Sequence, residues 1–135
     1  MNVKQVWQRV QESAGSLQER QSIQKLLEQL KGDAAFLRRH PGGQTLAEEL
    51  EEQAAVLLGL QALATGQPPK APLHTPAPTH LRQCYTHSTD RLKEYLLRTA
   101  DPQFGPVYQS LANRTQAHCL HLAALIGKAP HQHHR

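Results

Sequence analysis

Apolar residues recur every three or four positions along four stretches of the chain, the spacing that places them on one face of an α-helix. No stretch shows the strict alternation of apolar and polar residues that is typical of a strand. Leucine, alanine and glutamine are abundant, which also favours helices over strands. The sequence therefore predicts an all-α protein, with apolar stripes along residues 23–37, 46–64, 81–95 and 107–126.

Helix breakers and caps separate these stretches. The run His40-Pro41-Gly42-Gly43 ends the first helix, because proline and paired glycines do not continue one. Thr45 and Glu48 have the spacing of a capping box, in which each side chain binds the backbone N–H of the other residue. Gly66 is placed to end the second helix with a left-handed cap.

The connection between the second and third helices is long and rich in proline. Residues 66–79 include Pro68, Pro69, Pro72, Pro76 and Pro78, which forbid a helix and favour an extended chain. At roughly 3 Å per residue this connection reaches as far as a helix of about 20 residues is long. The other two connections are short, so each joins its helices into an antiparallel hairpin. We expect an antiparallel four-helix bundle of two hairpins joined by one long crossover.

The chain thus divides into three parts. Residues 1–16 carry Val3, Val6, Trp7 and Val10 at helical spacing, and predict a short amphipathic helix before the bundle. Residues 17–127 form the bundle, with its crossover at 66–79. Residues 128–135 are a histidine-rich tail that we expect to be mobile.

Composition narrows the class of protein. A length of 135 residues fits one domain, and the net charge of +4 is spread along the chain without the basic stripe of a nucleic-acid binder. No apolar run approaches the roughly 20 residues of a membrane span, and no signal peptide is evident. Two cysteines do not make a secreted disulfide scaffold. We expect a cytoplasmic protein that binds neither nucleic acid nor membrane.

The two predicted hairpins resemble each other. Leu46-Ala47-x-x-Leu50-x-x-Gln53-Ala54 in the second helix parallels Leu111-Ala112-x-x-Thr115-x-x-His118-Cys119 in the fourth. The first and third helices can be superposed with Leu30 on Ser88. This internal repeat indicates that one hairpin is a copy of the other.

A family resemblance rests on these motifs. The run Asp101-Pro102-Gln103-Phe104-Gly105-Pro106-Val107-Tyr108, followed by Leu111-Ala112 and His118, resembles the rubrerythrin-type branch of the ferritin-like superfamily. The pattern from Leu46-Ala47 to Leu63-Ala64-Thr65-Gly66 is similar to the second helix of such proteins. The likeness covers residues 17–127 and implies the same bundle with one long crossover.

The resemblance also implies where a di-iron centre would lie. In that family two helices each supply a Glu, and the other two each supply a Glu-x-x-His pair. The corresponding positions here are Leu30, Leu50, Gln53, Ser88, Thr115 and His118. Only His118 keeps its ligand type, and no carboxylate is left at these positions. Glu28, Asp33, Glu49 and Glu52 lie nearby in sequence, but we expect them to point away from the core stripe.

Other metal chemistry stays open as an alternative. Cys84 and Cys119 lie on or near the inward stripes, and with His118 they offer soft ligands for Zn or, less suitably, Fe. Their spacing matches no standard zinc motif. Two buried cysteines that pack as small apolar residues are the simpler interpretation, and a disulfide is a further one.

Three functions follow as hypotheses. The first is a ferritin-like bundle that has lost its di-iron centre, binds no cofactor and has a non-catalytic structural or interaction role, with a homodimer as one form of it. The second is a metal-binding or redox protein that uses a non-standard His/Cys site. The third binds a small apolar ligand in the bundle core, at the level of Ser88 and Thr115. The sequence does not identify a protein partner.

Overall fold

A computed structural model describes residues 16–66 and 77–128, with side chains from residue 23 onward. Within these ranges the regular secondary structure is all helical, so the all-α prediction is confirmed. The predicted helix at residues 1–16, apart from Ser16, lies outside the described residues, as do residues 67–76 of the crossover and residues 129–135 of the tail. The four helices are α1 (Ser16–Arg39), α2 (Gln44–Thr65), α3 (Leu81–Arg98) and α4 (Gly105–Lys128).

The ends of α2 show one wrong prediction and one correct one. The residue that precedes α2 is Gly43, and no side chain caps the helix, so the capping box of Thr45 and Glu48 does not form. Gly43 occupies the cap position because a Cβ there would collide with the carbonyl oxygen of Leu37. The left-handed cap is confirmed: Gly66 has φ 67° and donates its N–H to the carbonyl of Ala62 at 2.8 Å.

The helices pack as two hairpins, α1 with α2 and α3 with α4. Between the hairpins, α1 packs on α3 and α2 packs on α4. Polar contacts show the relative direction of α1 and α3. On α1, Gln29 contacts Arg91 of α3. Asp33, one turn later on α1, contacts Arg91 and also His87, which lies one turn earlier on α3. The helices α1 and α3 are therefore antiparallel.

The second pair between the hairpins has the same arrangement. Glu49 on α2 contacts His118 and His121 on α4, whereas the later residue Gln53 contacts the earlier residue Thr115. Since α1 is antiparallel to both α2 and α3, the helices α2 and α3 run parallel. The end of α2 and the start of α3 then lie at opposite ends of the bundle, and a long return connection between them is required.

The approach to α3 agrees with this path. Pro78 is buried beside Gly32, near the middle of α1, before the chain reaches the N-terminus of α3. There His80 caps α3 by accepting a hydrogen bond on its ring Nδ1 from the N–H of Gln83 at 3.2 Å.

The apolar stripes form the core, as the periodicity predicts. Every member of the α1 stripe from Ile23 to Leu37 is buried. On the other helices two positions of the predicted stripes are exposed, Ala64 on α2 and Tyr85 on α3. Three more are only partly buried, namely Leu92, Val107 and Ile126. None of the helices α1 to α4, which are those in residues 16–66 and 77–128, combines the length and the apolar character that a membrane span requires.

Candidate functional site

A layer of polar side chains crosses the middle of the mainly apolar core. The six positions that the family resemblance implies for a di-iron centre all lie in the interior, each with at most 1% of its surface exposed: Leu30, Leu50, Gln53, Ser88, Thr115 and His118. Their polar members belong to two groups of contacts, one between α1 and α3 and one between α2 and α4. We call these groups the α1–α3 half and the α2–α4 half of the central layer.

The α1–α3 half is built around Arg91, which is completely buried. Its Nη1 donates to Oδ2 of Asp33 and to Oε1 of Gln29, both at 2.9 Å, and its Nη2 donates to Oγ of Ser88 at 2.9 Å. Asp33 is itself only 1% exposed, and its other oxygen contacts Nδ1 of His87 at 2.8 Å. A full ion pair with supporting hydrogen bonds is thus enclosed in the core.

Asp33 corrects the expectation that the carboxylates near Leu30 leave the core. Residues three apart on a helix share a face, so Asp33 follows Leu30 inward. Glu28 is buried as well, at 9% exposure. Sequence reasoning also missed Arg91, although it belongs to the inward stripe of α3, which consists of Leu81, Cys84, Ser88, Arg91 and Tyr95.

The α2–α4 half is centred on Glu49, whose carboxylate contacts two histidines. Oε1 of Glu49 contacts Nδ1 of His118 at 2.9 Å, and Oε2 contacts Nδ1 of His121 at 2.9 Å. Beside them, Oγ1 of Thr115 donates to Oε1 of Gln53 at 3.2 Å. The side chain of Glu49 is 27% exposed, so it lies at the edge of the core, where solvent has access. From this position it contacts the buried ring of His118. Glu52 is exposed, as expected.

Burial decides the protonation state of His118. It lowers the pKa of the ring below the usual 6.5, against the opposing hydrogen bond and charge of Glu49, and the positive charge of Arg91 lowers it further. The ring is therefore neutral at pH 7. Its proton lies on Nδ1, where it is donated to Glu49, and Nε2 carries a lone pair that faces the interior without a partner.

The two cysteines are buried free thiols and are not joined by a disulfide. Burial, followed by the charge of Asp33, raises the pKa of Cys84 to about 12. Burial also raises the pKa of Cys119. The thiolate is the form that binds metals and attacks electrophiles, and burial favours the protonated thiol at both cysteines.

The layer does not suit the metals considered from the sequence. In residues 16–66 and 77–128, no three His, Cys, Asp or Glu side chains are grouped so that they could hold a metal ion. His118, Cys84 and Cys119 therefore do not form a ligand set in this structure. Two iron ions do not fit the six positions either, since His118 is the one remaining ligand type and the fixed positive charge of Arg91 stands in the same layer.

Comparison with known proteins adds no relative. No protein-family model, curated protein or solved structure matches the chain. The ferritin-like assignment accordingly stays a prediction.

Proposed function

We propose that the protein is a ferritin-like helical bundle that has lost a di-iron centre and has a non-catalytic structural or interaction role. The observation that carries this proposal is the buried pair of Arg91 and Asp33, in a layer whose former ligand positions hold Leu30, Leu50 and Ser88. An iron centre supplies buried positive charge that balances buried carboxylates. In this chain one guanidinium and one carboxylate balance each other, without a metal.

The direction of the helices supports the same proposal. In this chain two antiparallel hairpins are joined so that α2 and α3 run parallel, which is the connectivity of ferritin-like bundles. In a simple up-down bundle, by contrast, every two helices that are consecutive in sequence are antiparallel. The contacts of Asp33 with His87 and Arg91, which fix the direction of α1 and α3, lie outside the motifs that carry the resemblance.

An interaction role is favoured by the outer surface of the second hairpin. In the described ranges, most exposed large apolar side chains lie on α3 and α4, namely Tyr85, Leu96, Leu97 and Leu120, and only Leu63 lies on α2. Contiguous apolar surfaces mark protein contacts, and we propose that these side chains take part in one. A homodimer through this hairpin is part of the proposal.

We also propose a cytoplasmic location, because Cys84 and Cys119 are both free thiols, the form that cysteines keep in the reducing cytoplasm.

The two alternative functions receive less support. A redox or zinc site would need thiolates, but burial raises the pKa of both cysteines. An apolar ligand at the level of Ser88 and Thr115 would lie against hydrogen-bonded and charged groups. Contact with a ligand that cannot form hydrogen bonds is unfavourable for such groups.

Metal content tests the proposal directly. The unaltered protein, purified without a histidine tag and then incubated with Fe²⁺ under argon, should retain far less than one iron per chain by elemental analysis. The matched variant restores the ligand set with Leu30→Glu, Leu50→Glu, Gln53→His, Ser88→Glu and Thr115→Glu, and removes the guanidinium with Arg91→Met. We expect iron uptake by this variant alone. Two irons per chain in the unaltered protein would contradict the proposal.

A further inference from the structure

Seven buried polar side-chain atoms in the described residues have no hydrogen-bond partner, and three of them belong to polar residues that form the two halves of the central layer. They are Nε of Arg91, Nε2 of His118 and Nε2 of Gln53, on side chains that are each at least 99% buried. Native interiors pair nearly all their buried polar groups, so three unpaired atoms in one layer need a physical explanation. An unpaired buried donor or acceptor loses the hydrogen bond that it makes with water in the unfolded chain.

The contacts on α2 and α4 bring two of these atoms together. Gln53 is bonded to Thr115 through its other amide atom, and His118 follows Thr115 by one helical turn. Glu49, which contacts His118, precedes Gln53 by one turn of α2. The amide nitrogen of Gln53 and the ring nitrogen of His118 therefore belong to adjacent side chains on facing helices.

The antiparallel packing of α3 and α4 places Arg91 at the same depth. Near one end of this hairpin, Nη1 of Arg98 donates to the hydroxyl of Tyr108 at 3.2 Å. Two turns back along α3 lies Arg91, and two turns forward along α4 lies Thr115, the partner of Gln53. The effect of the Arg91 charge on the pKa of His118 agrees with this closeness.

The three atoms together select a ligand by its hydrogen-bonding capacity. Arg91 and Gln53 offer N–H donors, while neutral His118 offers a lone pair. A fully deprotonated anion has no proton to donate to His118, and any anion would stand near the carboxylates of Asp33 and Glu49. A metal cation would be repelled by Arg91, and an apolar molecule would leave all three atoms unpaired. A water molecule accepts two hydrogen bonds and donates others, so it matches the set.

We propose that a water molecule is bound in the bundle core, where it accepts from Nε of Arg91 and Nε2 of Gln53 and donates to Nε2 of His118. It joins α3, α2 and α4, and thereby links both halves of the central layer and both hairpins. The proposal needs only these three atoms, so it does not depend on whether the layer once held iron.

Oxygen-17 magnetic relaxation dispersion tests this site, because it detects only water molecules that stay bound longer than the protein takes to tumble. We expect a dispersion from the unaltered protein. Gln53→Leu should reduce its amplitude by the contribution of one water per chain, since the variant removes a donor and fills space. The control Gln44→Leu changes an exposed glutamine on the same helix and should leave the amplitude unchanged.

Three results would overturn the proposal. The first is the lack of any dispersion from the unaltered protein, and the second is an equal amplitude in Gln53→Leu. The third would come from a crystal structure of the unaltered protein that resolves ordered water: if Nε of Arg91 donates directly to Nε2 of His118, no water lies between them. Density for a water within hydrogen-bonding distance of the three atoms would support the proposal, and this measurement does not require that the variant folds.

Discussion

The two halves of the central layer have the same plan but differ in their access to water. In each half a carboxylate on the first hairpin pairs with cationic or titratable groups on the second, Asp33 with Arg91 and His87, and Glu49 with His118 and His121. Asp33 and Arg91 are at most 1% exposed, whereas Glu49 is 27% and His121 is 57% exposed.

This difference decides how much each contact matters. A charge in the closed α1–α3 half has no water to replace a missing partner, so its partner is indispensable. In the open α2–α4 half, water can solvate Glu49 when one histidine is absent. The same plan of contacts therefore fixes the docking of the hairpins firmly on one side and only weakly on the other.

The largest effect should come from the closed half. Arg91→Met should lower the free energy of unfolding by about 3–5 kcal/mol, because the charge of Asp33 is left buried without its partner. The double variant Arg91→Met with Asp33→Leu should recover most of this loss, since both charges are replaced by apolar groups. Urea denaturation of the two variants and the unaltered protein provides the measurement. A loss below about 1 kcal/mol in the single variant, the range of an exposed pair, would remove the distinction between the halves.

An intermediate effect should appear as a dependence on pH. The folded pKa of His118 is lowered, so below 6.5 the unfolded chain takes up a proton that the folded protein does not. The free energy of unfolding should therefore fall with decreasing pH, by at most about 1.4 kcal/mol per pH unit from this group, until the pH drops below the folded pKa.

His118→Leu should lack this contribution. Denaturation midpoints measured above and below pH 6.5 should change less in the variant than in the unaltered protein. Equal changes in both proteins would show that His118 does not stay neutral in the folded state.

The smallest effect should come from the exposed rim. His121→Ala should change the free energy of unfolding by less than about 0.5 kcal/mol, because water and His118 still serve the carboxylate of Glu49. His118→Ala, one turn earlier on the same helix, is the matched control and should cost several times more. If His121→Ala were as destabilising as Arg91→Met by denaturation, the α2–α4 half would be as closed as the other.

The sequence predicts the fold better than the site. Periodicity places the apolar core correctly from Ile23 to Leu122, because burial of apolar side chains dominates the packing of a small bundle. The predicted capping box of Thr45 and Glu48 does not form. The local preference for a capping side chain is weaker than the packing of the Gly43 backbone against Leu37, which sets the start of α2.

The polar layer was harder to predict because a charged residue on an inward stripe ordinarily signals a break in that stripe. Arg91 is accepted in the core only because Asp33 meets it from another helix, 58 residues away in sequence. The inward position of each residue follows from its spacing on its own helix, but their pairing depends on how the hairpins dock. A search for opposite charges on the inward stripes of two helices would have found this pair.

The parallel course of α2 and α3 has a consequence for the order of folding. Contacts within each hairpin join residues close in sequence, such as Arg98 and Tyr108, whereas the ties between hairpins join residues 54 to 72 positions apart. Closing a long loop is slower and costs more entropy than closing a short one. We therefore expect each hairpin to form early and the two hairpins to dock late. Asp33 and Arg91 lose their hydration when the hairpins meet, so hairpins that docked without this pairing would bury an unpaired charge.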